Sequence, residues 1–144
     1  TENITKMIRN ILSSPSHVLP LMHFILPVRF QEDEVHGELW VSQNESFDTP
    51  ENSSFHILLS LLVRDEDVLE IEFKGQGLEV NIDLRGSEQN IQGLKSLEKT
   101  IKGYFKTSKY HLNALNITPQ NSIRSIFQVF EEYQSHFIGI NTHV

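Results

Sequence analysis

Hydrophobic and polar positions change period several times along the chain. Ile4, Met7, Ile8, Ile11 and Leu12 recur at helical spacing, which predicts a short amphipathic helix over residues 2–13. Ser13-Ser14-Pro15-Ser16 ends it, because proline disfavours the helical region for the residue before it. From Leu21 the period drops to two, with Met22, Phe24, Leu26, Val28 and Phe30 on one side and His23, Pro27 and Arg29 on the other. Pro27 has no N–H for a ladder bond, so this strand is expected at a sheet edge or with a bulge. The polar run Gln31-Glu32-Asp33-Glu34 reads as a turn. Beyond it Val35, Gly37, Leu39 and Val41 alternate with His36, Glu38, Trp40 and Ser42, giving a hairpin over about residues 21–43. Residues 43–54 are a polar loop and the best candidate for a mobile segment.

Phe55–Val63 is apolar at nearly every position, the pattern of a strand covered on both faces. Asp65-Glu66-Asp67 reads as a turn. The clearest alternation follows: Leu69, Ile71 and Phe73 with Glu70 and Glu72 between them, then Lys74-Gly75-Gln76-Gly77, then Leu78, Val80, Ile82 and Leu84 with Glu79, Asn81 and Asp83 between them. This predicts a hairpin with one apolar and one acidic face. Ser87 is placed to cap a helix with Glu88 in its first turn. Ile91, Leu94, Leu97, Ile101 and Phe105 continue that helix, while Gly93 and Gly103 weaken it, so packing must hold it. Residues 110–117 read as a strand. Thr118-Pro119 reads as a cap with proline at the first helical position, opening a helix through Ile123, Ile126, Phe127 and Phe130 to about Ser135. Phe137–Val144 reads as a final strand.

The sum predicts an α+β fold: a mostly antiparallel sheet built from hairpins, with two or three amphipathic helices packed on one face. No repeat or linker divides it, and 144 residues suit one domain. The chain does not begin with Met, and it is expected to be excised from a longer protein.

Composition narrows the function. With no cysteine there is no thiol nucleophile, thiolate zinc site or iron–sulfur cluster. A net charge of −7 without a dense Lys/Arg run argues against nucleic acid as partner. The longest apolar stretches fall far short of the roughly 20 residues that cross a bilayer, so no membrane insertion is expected. Four Asn-x-Ser/Thr sequons, at Asn3, Asn44, Asn52 and Asn116, are expected by chance in an Asn- and Ser-rich chain.

The candidate chemistry is thin. Seven histidines lie scattered, and no pair has the His-x-x-x-His spacing that sets two ligands on one helix face. No Gly-x-Ser-x-Gly elbow occurs. Gly75-Gln76-Gly77 lacks the Lys-Ser/Thr and the following helix of a phosphate loop. Asp65, Glu66 and Asp67 lack the spacing, central glycine and closing glutamate of a calcium loop. No metal, cofactor or enzymatic activity is expected. Glu70, Glu72, Glu79 and Asp83 form either the wet side of a sheet or a docking surface for a basic partner. Trp40, the one tryptophan, is either a core residue or a binding anchor.

The segment Ser60–Ile117 resembles the C-terminal domain of flagellar hook-length control proteins, the bacterial type III secretion substrate-specificity switch. That family reads as a leucine-rich strand, an acidic turn, an alternating strand, a short turn, a second alternating strand, a helix with acidic start, and a last strand. Here the parts are Leu61-Leu62-Val63, Asp65-Glu66-Asp67, Leu69-Glu70-Ile71-Glu72-Phe73, Gly75-Gln76-Gly77, Leu78–Leu84, the helix from Ser87 to Phe105, and His111–Ile117. Arg64-Asp65-Glu66-Asp67-Val68 stands where the family carries Pro-Glu-x-Leu-Gly, and the 21–43 hairpin and the last helix and strand are additions. The resemblance implies a non-enzymatic protein that engages the cytoplasmic part of the export gate, with Leu69, Ile71 and Phe73 forming or supporting the contact. It implies a cytoplasmic location, with passage through the secretion apparatus itself. The expectation from a different class is an acidic secretion chaperone or adaptor, a dimer holding an unfolded client strand along a sheet edge.

Overall fold

The computed structural model describes residues 21–30, 33–43, 53–63 and 67–131. The expected helix over 2–13, most of the 43–54 loop, Asp65-Glu66 and the expected strand 137–144 lie outside the described residues. Within them six strands form one sheet in sequence order: β1 (Leu21–Phe30), β2 (Asp33–Gln43), β3 (Ser54–Val63), β4 (Asp67–Gln76), β5 (Glu79–Gly86) and β6 (His111–Pro119). The first four pairings are antiparallel and the last, β5 with β6, is parallel. A parallel pair needs a crossover. It is supplied by a 3₁₀ turn, Glu88–Asn90, and the helix α1 (Ile91–Phe105). A four-residue helix, α2 (Ile126–Val129), follows β6. The class is α+β, as the alternation predicts.

The first hairpin forms as expected, and β1, with Pro27 in it, is an edge strand among the described residues. The β4–β5 hairpin closes on a two-residue loop, Gln76 pairing with Glu79 across Gly77-Leu78. Gly77 takes φ 60°, which an L side chain rarely adopts and which a primed hairpin turn requires of its first loop residue. Leu78 therefore belongs to the turn and is exposed, not to the alternating strand. Gly75 stays side-chain free for a different reason. It sits opposite Phe55, and a Cβ there would overlap the Phe55 ring, which itself meets Tyr110 edge-on at 6.3 Å.

Because strand side chains alternate, the register sorts residues onto two faces. Val80, Ile82 and Leu84 share one face with Leu69, Ile71 and Phe73 and bury against Leu94 of α1, with Leu97, Ile101, Phe105, Leu112, Leu115 and Ile117 around them. Each fully buried Leu or Ile of this set contributes about 1.5–3 kcal/mol. The helix starts one turn later than expected. Ser87 gives its hydroxyl to Asp67 Oδ1 (3.0 Å) and caps nothing with its side chain.

The opposite face is also covered, which corrects the expectation that the helices share one side. After β6 the chain doubles back and lays Val129 and the fully buried Phe130 on Leu58, beside Leu21, Trp40 and Ile126. The expected helix from Thr118-Pro119 is replaced accordingly. Thr118 and Pro119 continue β6, paired with Arg85 and Gly86, and the chain must cross the sheet before it can coil. Ser125 then opens α2 with a reciprocal cap: Gln128 N–H donates to Ser125 Oγ, and Ser125 N–H donates to Gln128 Oε1 at 2.8 Å. Of the apolar β3, Leu58 is buried on the Phe130 face, its neighbours Ile57 and Leu59 on the other face are only half-buried, and Leu62 near its end is half exposed, so the expected cover on both faces is partial.

Candidate functional site

Under the returning segment lies a group of charges. Alternation along β4 turns Val68, Glu70 and Glu72 away from α1 and toward residues 124–130, and Glu70 and Glu72 are 0 % and 1 % exposed. The expectation of an acidic, wet or partner-facing side therefore fails for these two; the chain's own Arg124 covers them. The Arg124 Nε donates to Glu70 Oε2 at 2.9 Å, Nη2 to Glu72 Oε2 at 2.9 Å, and its backbone N–H to Glu70 Oε1 at 3.1 Å. The planar guanidinium spans both carboxylates in one fork, which lysine cannot do.

Glu72 gathers further partners. His56 Nε2 lies 2.7 Å from Oε1, Lys74 Nζ 3.3 Å from the same oxygen, and Arg85 Nη2 3.8 Å from Oε2. A carboxylate oxygen only accepts, so His56 carries its proton on Nε2 in this contact. The His56 ring also lies against Phe130, centroids 4.3 Å apart. Burial alone would raise the Glu72 pKa, but the His56 and Arg124 hydrogen bonds and the charges of Arg124 and Lys74 outweigh it and hold it at about 2. Arg124 is pushed the other way, up, its desolvation outweighed by hydrogen bonds to Glu70 and Glu72 and by their charge.

This arrangement is a clasp. Each carboxylate is held by Arg124, so the group ties residues 120–131 to the sheet. An open cleft of about 230 Å³ lies over it, lined by His56, Glu72, Lys74, Arg124, Gln128, Val129 and Glu131. Among the described residues no three His, Asp or Glu side chains converge as metal ligands. No described helix is long and apolar enough to cross a membrane.

The residues singled out in the sequence do not meet at one place. Leu69, Ile71 and Phe73 pack into the core beneath α1, so they support the fold of this unit from inside. Trp40 sits on the other face at the margin of the Leu58–Phe130 cluster. It stacks on its cross-strand neighbour His23 with centroids 3.7 Å apart, and its Nε1–H points to Glu38 Oε2 at 3.4 Å. Glu79 is exposed, and Asp83 accepts from the Asn116 amide at 3.0 Å. Arg124, the organising residue, carries no motif in the sequence. No family model, curated protein or solved structure matches this chain.

Proposed function

We propose that this chain is a non-enzymatic protein-binding domain of the kind used as a type III secretion specificity switch, engaging the cytoplasmic part of an export gate. The observation that carries the reading is the β4–β5–α1–β6 unit. Strand, two-residue turn, strand, crossover helix and strand follow in the order that the family resemblance predicts, and the apolar alternation of both strands is used to seat the helix. In this reading Leu69, Ile71 and Phe73 act from within, shaping the unit, and the contact itself falls on exposed positions of α1 and the strand ends.

A specific feature favours the second reading, a dimeric acidic chaperone or adaptor that holds a client strand. β6 is the far edge of the sheet, pairing among the described residues only with β5, and its nine residues carry no Asp, Glu, Lys or Arg. Native edges are normally blunted by charge or proline, and here proline appears only at the last position. An uncharged edge suits strand addition.

Calorimetric titration with a purified export-gate cytoplasmic domain tests the first reading, and sedimentation of the chain alone tests the second. Saturable binding by a monomer supports the switch. A stable dimer that ignores the gate and takes up an unfolded client supports the chaperone.

A further inference from the structure

The exposed side of α1 carries a line of lysines. Lys95, Lys99, Lys102 and Lys106 follow one another at spacings of four, three and four, which keeps them on a single stripe of a 3.6-residue helix. Lys106 still has helical dihedrals, φ −61° and ψ −29°, and Lys109 extends the line past the helix end. All five are exposed. They stand against one glutamate, Glu98, so residues 91–109 carry a net charge of +4 in a chain of net −7, and the other 125 residues carry −11.

Folding does not account for the stripe. Like charges three and four residues apart destabilise a helix, and this one already contains Gly93 and Gly103. The helix dipole favours cations only in the last turn, which covers Lys102 and Lys106 but leaves Lys95 and Lys99 without benefit. Lys102 pairs with Glu98, and Lys109 lies over the Tyr110 ring. Lys95, Lys99 and Lys106 have no partner among the described residues, and solubility is served as well by mixed signs.

We infer that the α1 lysine stripe is a docking site for an acidic helical segment of a protein partner. The inference rests on the protein-binding reading above and names the chemistry of the partner. A facing helix with carboxylates at the same four-three-four spacing meets each lysine in turn, as flanking charges do in coiled coils. The line from Lys95 to Lys106 is about 16 Å long and one residue wide. A duplex presents a charge every ~1.7 Å of its axis, far denser than one lysine per turn, and the −11 of the remaining chain repels phosphate polymers and anionic bilayers more than a short peptide.

The test uses fluorescence anisotropy with a labelled helical peptide of about 16 residues carrying glutamates at four-three-four spacing. A peptide of scrambled order, a single-stranded DNA of similar length and phosphatidylserine vesicles serve as rival probes. The variant is Lys95→Glu/Lys99→Glu/Lys106→Glu, with the Lys→Gln triple beside it and melting curves to confirm folding. Expected is saturable binding of the ordered peptide that weakens with salt and falls about tenfold or more on charge reversal, with a smaller loss for the glutamine triple. Equal binding of the scrambled peptide, indifference to charge reversal, tighter binding of DNA or vesicles, or no binding at about millimolar peptide each overturns the inference. Any of these leaves the export-gate titration free to succeed by another surface, so the two readings fail separately.

Discussion

Replacing Arg124 by alanine removes two charge-assisted hydrogen bonds and leaves Glu70 and Glu72 covered without their shared cation. Breaking a buried pair by deleting one partner costs about 3–5 kcal/mol, because the remaining charge is desolvated and uncompensated. Glu72 keeps His56, Lys74 and Arg85, whereas Glu70 keeps the Arg124 backbone N–H. Arg124 is itself 20 % exposed, so the lower end, about 3 kcal/mol, is expected. For a domain of this size that lowers Tm by roughly 6–12 °C. The assay is urea unfolding followed by Trp40, the sole tryptophan, which sits beside the Leu58–Phe130 cluster that the clasp secures. A loss below about 1 kcal/mol refutes the clasp.

Other consequences are tested with the same unfolding assay. In the parent, Glu72 is held at about 2, below its ordinary 4.5, so its contribution is complete above about pH 4.5 and is lost as pH falls through about 2. Roughly 3 kcal/mol should disappear across that window, and Glu72→Gln should flatten the slope there. Gly75→Ala sets a methyl into the Phe55 ring and is expected to cost about 1–3 kcal/mol, read as a lower urea midpoint. Gly93→Ala and Gly103→Ala place a methyl where nothing lies within 4 Å, and each is expected to raise stability by up to about 1 kcal/mol. A destabilised alanine variant at either position contradicts the picture of a bare outer helix face. Ser125→Ala deletes the cap of α2 and should cost about 1 kcal/mol, concentrated in faster hydrogen exchange of residues 126–130.

The strands were legible because their signal is local. Period-two alternation in 21–43 and 67–86 fixes both hairpins, and Gly77 fixes the turn between β4 and β5. The helix α1 was legible from Ile91, Leu94, Leu97, Ile101 and Phe105. The clasp was not, since it joins residues 54 apart through a chain reversal that no periodicity encodes. One signal was nevertheless present. Phe55–Val63 is apolar on both sides, and Leu58 and Ser60 lie beside Glu72 and Glu70 in the register. If β3 is covered on the face of Leu58 and Ser60, its neighbour's acidic positions beside them are covered too, and buried glutamates need a cation or a proton to offset their burial. The false helix start at Thr118-Pro119 has a similar origin. A cap signature is satisfied equally well by a strand end, and only the paired Gly86–Pro119 and Arg85–Thr118 positions decide between them. The lysine stripe escapes a linear reading because no two of its lysines are adjacent; projection onto a helix reveals it.

The most direct test of the functional account is calorimetric titration of the chain with an export-gate cytoplasmic domain from the same source. Run beside it, Gly93→Ala serves as a folded reference and the Lys95/Lys99/Lys106 charge reversal as a surface variant. The account predicts saturable one-to-one binding that the reference retains. Heats indistinguishable from dilution at high protein concentration, with the chain folded and monomeric, contradict it.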